Sequence, residues 1–128
     1  MNIEELRETA LALPHATERS PYGPDTLAFE IGGKHFALLD LSGECEFYNL
    51  KVDPEYSVEL QERYRSVRPG WHMNKRHWIS VDFVGDVPDP LQRELLKHAY
   101  AQTLKALPKR MRDVLSHTPA EDSRQPHE

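Results

Sequence analysis

Residues 26–41, TLAFEIGGKHFALLDL, contain the clearest hairpin pattern in the chain. In the first half, Leu27, Phe29 and Ile31 alternate with smaller or polar residues, which is typical of a strand with one buried face. Gly32-Gly33 then separates this strand from a second apolar run, and both glycines can adopt the positive φ angles of a two-residue hairpin loop. The stretch therefore predicts an antiparallel β-hairpin.

Capping signals and apolar spacing predict three helices around this hairpin. They cover residues 2–13, 53–64 and 89–107. Asn2 and Asp53 are the expected N-caps of the first two helices, and Gln92 is expected to complete a capping box at the start of the third. Pro108 is expected to end or restart the third helix, with a short turn over residues 111–115.

Three further strands are predicted over residues 45–52, 66–73 and 77–83, with Asn74-Lys75 as the turn between the last two. In the last strand, alternate residues from His77 to Phe83 are expected to share one face, and Trp78 is expected on the other. Helices and strands do not alternate singly along the chain. We therefore expect an α+β fold: a two-layer α/β sandwich of order α-β3-α-β2-α, with the helices on one face of a mostly antiparallel sheet.

The composition fits one soluble globular domain. The 128 residues are 38% hydrophobic and 29% charged, with a net charge of −5, and no apolar run approaches the roughly 18 residues of a membrane span. The domain is expected over residues 1–116, and residues 117–128, which lack apolar anchors, are predicted to be disordered. The start of the chain has acidic residues instead of a signal-peptide pattern, so we expect a cytoplasmic protein without membrane contact.

No catalytic motif is present in the sequence. There is no Gly-x-Ser-x-Gly elbow, no HExxH pattern and no glycine-rich phosphate loop opening a helix. Cys45 is the single cysteine, and its position in a strand-like run indicates a small buried residue. The sequence therefore predicts a protein that is not an enzyme and that has no catalytic residue, no cofactor and no resident metal.

A basic and aromatic segment stands out against this acidic composition. Residues 63–81 contain both tryptophans and five Lys/Arg residues but no Asp or Glu. Lysine and arginine supply phosphate contacts to nucleic acid, and exposed aromatic rings supply stacking. Two interpretations stay open at this point: a contact surface, or core tryptophans with a solvated basic face that balances nearby carboxylates such as Asp82 and Asp86.

Several short motifs occur in a specific order and spacing. They are Leu13-Pro14, Tyr22-Gly23-Pro24-Asp25-Thr26-Leu27, Gly33-Lys34-His35-Phe36-Ala37, Asn49-Leu50-Lys51-Val52-Asp53-Pro54-Glu55 and Pro69-Gly70-Trp71-His72-Met73-Asn74-Lys75-Arg76-His77-Trp78. With these motifs the chain resembles the MmcQ/YjbR family over residues 6–107. That family is described by a double-wing motif and predicted DNA binding, and the resemblance implies a fold like that of secretion chaperones and CyaY-like proteins.

The resemblance also implies which residues contact DNA. On the family pattern these are Lys34, Lys51, His72, Asn74, Lys75 and Trp78, and the charge argument adds Arg68 and Arg76. The two wings would be the hairpins at Gly32-Gly33 and Asn74-Lys75. The chain departs from the pattern at His15, where glycine is common, and at Glu30, where a basic residue is common.

Three functional hypotheses follow, and the sequence leaves the oligomeric state undetermined. The first is DNA binding through the basic aromatic hairpin. The second is a protein- or peptide-binding adaptor that uses Tyr48, Trp71 and Trp78 near a sheet edge or cleft. The third is a small-molecule or metal-binding protein that uses His72 and His77.

Overall fold

A computed structural model describes residues 1–117; residues 118–128, which hold nearly all of the predicted tail, lie outside the described part. The elements in chain order are α1 (Ile3–Leu11), β1 (Thr17–Arg19), β2 (Thr26–Ile31), β3 (Lys34–Asp40), β4 (Phe47–Lys51), α2 (Pro54–Arg63), β5 (Val67–Pro69), β6 (Trp78–Asp82), α3 (Asp89–Ala106) and α4 (Lys109–His117). The strands form one sheet in the order β1-β2-β3-β4-β6-β5.

The helices form the second layer, on one face of this sheet. Each strand pairing in the described residues is antiparallel, which confirms the predicted α+β class. The shared core contains Leu6 of α1, Leu60 of α2 and Leu96 of α3, together with the inward-facing side chains of the strands. The largest fully buried ones from the sheet are Tyr48, Phe29, Phe36, Ile31, Leu39, Leu50 and Ile79.

The opening hairpin forms as predicted. Ile31 pairs with Lys34 across a two-residue loop in which Gly32 has φ +58° and Gly33 has φ +79°. Positive φ at both positions is the geometry that favours glycine. A register shift between Phe29 and Glu30 adds a bulge, so the simple alternation of the sequence is interrupted there.

Two elements were not predicted. β1 pairs with β2 at the sheet edge, but its three residues, Thr-Glu-Arg, have no apolar alternation, so the local sequence contains no strand signal. α4 is a nine-residue helix where only a short turn was expected. None of its residues is fully buried, although Leu115 packs against the main core, so its apolar stripe was too narrow to predict a helix.

The second predicted hairpin is wrong in detail. Residues 70–77 form an irregular loop between β5 and β6, and not two strands joined at Asn74-Lys75. We call residues 70–77 the tryptophan loop. It is built from local hydrogen bonds: Asn74 Oδ1 accepts from Arg76 N at 3.0 Å, and Lys75 Nζ donates to Gly70 O at 2.8 Å. These side-chain bonds compete with the strand pairing that the apolar spacing suggested.

The start of α3 also differs from the prediction. Pro88 is the N-cap, and no side chain caps this helix. Gln92 does not complete a capping box, because its side chain turns inward. Its Oε1 accepts from Tyr48 Oη at 2.7 Å, and its Nε2 donates to the carbonyls of Phe83 and Val87 at 3.1 and 3.0 Å. The predicted caps at Asn2 and Asp53 of the other two helices are confirmed.

His98 makes the start of α2 sensitive to pH. Its Nε2 accepts a hydrogen bond from the Asp53 backbone N–H at 3.1 Å, which only the neutral imidazole can do. Burial lowers the pKa of His98 below its usual 6.5, and the Asp53 carboxylate opposes this in part. The unfolded chain therefore binds a proton at higher pH than the folded chain, so the stability from His98 is complete above about pH 6.5 and is lost as the pH falls.

We expect His98→Gln to flatten this pH dependence. A glutamine oxygen can accept the same hydrogen bond without titrating. Urea unfolding between pH 7.5 and pH 5 should show a larger loss of stability in the wild type than in the variant, by about 1 kcal/mol, the usual contribution of one hydrogen bond. Parallel pH curves for the two proteins would contradict this assignment.

Candidate nucleic-acid interface

Two adjoining clefts lie at the end of the sheet that carries the Gly32-Gly33 loop. The first, of about 470 Å³, is lined by Gly33, Lys34, His35, Lys51, Trp78, Thr103 and Ala106. The second, of about 380 Å³, is lined by Lys51, Val52, Pro54, His77, Gln102, Lys105 and Ala106. Because they share Lys51 and Ala106, we treat them together as the lysine cleft.

The topology brings three lysines to this cleft. Lys34 is the first residue of β3 and Lys51 is the last residue of β4. Since β3 and β4 are antiparallel, with Ala37 opposite Leu50, the start of one lies beside the end of the other. Lys105 comes from the last turn of α3, which packs on both strands. The cleft therefore depends on the sheet register and on the length of α3.

The charge of the lysine cleft is not balanced locally. No Asp or Glu is among the lining residues. Within residues 1–117, the ion pairs do not include Lys34, Lys51 or Lys105. The ammonium group of Lys51 lies 5.4 Å from the centre of the Trp78 ring, a favourable cation–π distance. These three positive charges are thus available to an anionic ligand.

Trp78 forms part of the cleft wall and contacts Lys51. Only 8% of it is exposed, and it packs with Ala28, Leu38 and Met73 on the face of the sheet away from the helices. That face is therefore partly covered, by the tryptophan loop. Trp78 can orient Lys51, but its burial excludes the open stacking surface that a direct DNA contact would need.

Glu30 does not make this end of the sheet acidic. Its carboxylate is buried and accepts from Arg19 at 2.8 Å, and His35 Nε2 lies 2.6 Å from it. The strand register places Glu30 opposite His35. The other acidic residues of the first wing, Glu44 and Glu46, lie in the connection after β3, at the opposite end of the sheet.

The other predicted contact residues lie outside the lysine cleft. Arg68, on the edge strand β5, is paired with Asp82, and its guanidinium lies 5.1 Å from the Phe47 ring centre. Lys75 and Asn74 are used in the internal hydrogen bonds of the tryptophan loop. His72 has φ +55°, and its ring lies 4.0 Å from that of Trp71. Arg76 is exposed in the same loop.

The structure therefore brings together only Lys34, Lys51 and Trp78 of the predicted set. Lys105 was missed, although it was visible as a basic residue near the end of the clearest helix. His77, named earlier only for the metal hypothesis, lines the cleft instead, as does His35. Among residues 1–117, no three His, Cys, Asp or Glu side chains are grouped as a metal ion would need.

The sheet edges are poorly suited to the adaptor hypothesis. β1 and β5 are the edge strands, each has three residues, and β5 ends in Pro69. Such short edges offer few backbone groups to an added peptide strand. Of the three aromatic residues named for this hypothesis, Tyr48 is fully buried in the core and Trp78 nearly so, which leaves Trp71, with 46% exposure.

No helix within residues 1–117 combines the length and the apolar character that crossing a membrane requires.

Comparison with known proteins identifies similar chains in several bacteria. The family model described as YjbR matches residues 11–102. "Uncharacterized protein YbdF" of Escherichia coli O157:H7 is 40% identical over 114 residues, covering 86% of this chain and 93% of YbdF. "Uncharacterized protein YjbR" of Escherichia coli strain K12 is 29% identical over 115 residues, covering 90% of this chain and 98% of YjbR.

Solved structures agree with the fold. A crystal structure of the Deinococcus radiodurans protein DR2400, described as domain DUF419, superposes with a TM-score of 0.83 at 33% identity and covers 98% of this chain and 96% of its own. A crystal structure of a Pseudomonas syringae protein, target PsR293, has a TM-score of 0.69 at 26% identity, with 80% of this chain and 99% of its own covered. The architecture is thus shared with these proteins, whose names state no activity.

Proposed function

The chain belongs to the YjbR family, and from this premise and the lysine cleft we propose that it is a non-enzymatic protein that binds DNA through Lys34, Lys51 and Lys105. The proposal rests on the grouping of three lysines in a cleft that has no carboxylate among its lining residues, in a chain whose net charge is −5. Sugar-phosphate backbones are bound by such lysine groups. The acidic remainder of the chain would keep DNA to this one end of the sheet.

Arg76 is a fourth candidate for a phosphate contact. The backbone N–H of Val52 donates to His77 O at 2.9 Å, so the end of the tryptophan loop returns to the residue that follows Lys51. Arg76 precedes His77 and is exposed. A DNA strand bound in the lysine cleft would therefore pass close to Arg76.

The test is the salt dependence of binding to duplex DNA. Fluorescence anisotropy of a labelled duplex should show affinity that falls as salt rises. In the triple variant Lys34→Ala, Lys51→Ala, Lys105→Ala we expect a weaker dependence. The slope of log K against log salt is negative, and its magnitude should decrease by about 2.7, because each of the three phosphate contacts contributes roughly 0.9.

A second triple variant is the matched control. Arg63→Ala, Arg65→Ala and Lys97→Ala remove the same charge, but none of these residues lines the lysine cleft. Their effect on the slope should be small. If the wild type retains no DNA at low salt, or if both triple variants change the slope equally, the proposal is wrong.

A further inference from the structure

The tryptophan loop holds an exposed ring in a fixed position. Ser80 Oγ accepts from the Trp71 backbone N–H at 2.9 Å and donates to Asn49 Oδ1, and Asn49 Nδ2 donates to Trp71 O at 3.2 Å. Ser80 is fully buried and Asn49 is 8% exposed. Two buried polar side chains thus hold both the backbone N–H and the backbone C=O of Trp71, while 46% of Trp71 stays exposed. Burial in the core cannot explain this arrangement.

The Trp71 ring is supported by neighbouring aromatic and cationic groups. The Phe47 ring centre is 5.8 Å away in an edge-to-face arrangement, and Arg68 lies against the Phe47 ring. His72 contacts the indole on the loop itself. These contacts restrict the motion of the indole without covering it, and so lower the entropy lost when another ring stacks on it.

A cleft of about 160 Å³ adjoins this ring. It is lined by Tyr22, Thr26, Leu38, Leu39, Asp40, Phe47, Asn49, Trp71, His72 and Met73. Tyr22, with 73% exposure, adds a second aromatic side chain to the lining. Asp40 is the acidic residue of the lining, and it accepts from Ser42 N and Oγ. We call this the aromatic cleft.

Its position next to the lysine cleft identifies the occupant. Leu38 and Met73 line the aromatic cleft and pack against Trp78, whose ring lies beneath Lys51. One layer of side chains therefore separates a site for a flat apolar ring from a site for an anion. A nucleotide strand contains both groups, and its bases can enter such a cleft only when they are unpaired.

We propose that the aromatic cleft binds an unpaired base by stacking on Trp71, so that single-stranded DNA is the preferred ligand. This inference rests on the proposed function, because the phosphates of the same strand occupy the lysine cleft. Stacking on an aromatic side chain tolerates every base. We therefore expect a preference for single strands with little preference for sequence.

Two oligonucleotides of equal charge provide the test. One is a 12-nucleotide oligothymidylate, and the other is an abasic strand with the same number of phosphates. The full chain should bind the first roughly 10-fold more tightly, within the range reported for one stacked base, and also more tightly than a duplex of the same length. Binding of oligothymidylate should quench tryptophan emission, since Trp71 is the exposed tryptophan.

Variants at Trp71 separate stacking from phosphate binding. Trp71→Ala should bind both oligonucleotides equally and keep the salt slope of the wild type. Trp71→Phe should keep most of the discrimination but lose the quenching. Val84→Ala, which shortens another exposed apolar side chain (89% exposed), is the control and should behave as the wild type. The thermal unfolding midpoint should change little in Trp71→Phe and Val84→Ala. Trp71→Ala should lose the ring contacts but stay folded, because the hydrogen bonds that hold residue 71 come from its backbone.

These measurements distinguish a failure of the proposed DNA binding from a failure of the stacking proposal. If the wild type binds neither single strands nor duplex, the proposed function itself fails. If it binds oligothymidylate and the abasic strand equally, with a salt slope that depends on the three lysines, DNA binding stands and stacking is wrong. A dimer that forms without DNA and is abolished by Trp71→Ala would assign the aromatic cleft to a second copy of the chain and would also overturn the inference.

Discussion

Gln92→Met should lower the free energy of unfolding by about 3 kcal/mol, because it leaves the buried Tyr48 hydroxyl and the Val87 carbonyl without a partner and removes the better of the two donors to the Phe83 carbonyl. In the wild type, the Gln92 amide accepts from the Tyr48 hydroxyl and donates to the carbonyls of Phe83 and Val87. Gln92 and Tyr48 are almost completely buried. Methionine fills a similar volume, so the loss will reflect hydrogen bonding more than packing. Urea unfolding measures it directly.

Two further variants define the origin of this loss. Tyr48→Phe combined with Gln92→Met removes the unpaired hydroxyl, so the double variant should be more stable than the sum of the two single changes predicts. Gln102→Met makes the same substitution on the same helix at a partly exposed position and should have little effect. If Gln92→Met and Gln102→Met cost the same, the buried network does not stabilise the fold.

Gly70→Ala should destabilise the protein by about 1–3 kcal/mol, the usual cost of inserting a methyl group into a filled space. A Cβ at this position would lie 2.7 Å from Trp78 Cβ and 2.9 Å from Trp78 O. The backbone oxygen cannot rotate away, and the Gly70 N–H donates to that same oxygen at 3.0 Å. We expect the start of the tryptophan loop to separate from β6.

The same change should affect the aromatic cleft, which Trp71 lines. Lys75 donates to Gly70 O, and Trp71 follows Gly70 directly, so movement of Gly70 would displace both. Gly43→Ala is the matched control, because nothing lies within 4 Å of a Cβ there and its φ is not in the positive region. Thermal unfolding of both variants tests the prediction, and equal midpoints would contradict it.

Local signals in the sequence were sufficient for the elements that position the lysine cleft. The Gly32-Gly33 loop and the caps at Asn2 and Asp53 depend on neighbouring residues only, and each forms as predicted. β1 could not be predicted, because its three residues pair with β2 through backbone groups that every sequence has. The inward turn of Gln92 depends on Tyr48, 44 residues earlier in the chain, and no local pattern contains that partner.

The candidate site was predictable to a similar extent. Lys34 and Lys51, which the family resemblance names, lie near each other in the folded chain because they begin and end neighbouring strands. Arg68 and Lys75 have the same charge, but their partners, Asp82 and the Gly70 carbonyl, were fixed only by the folded chain. The sequence could not show that Trp71 is exposed and Trp78 is buried. The position of the tryptophan loop on the sheet depends on hydrogen bonds from Asn49 and Ser80 to the Trp71 backbone, which form only in the folded chain.

The two short edge strands have a consequence for behaviour at high concentration. Fibrillar aggregation by sheet extension requires a long row of free backbone donors and acceptors. Here one border of the sheet is three residues of β1, and the other is three residues of β5 that end in Pro69, which has no N–H to donate. The native protein should therefore remain free of amyloid-type growth in concentrated solution, as long as these borders stay folded.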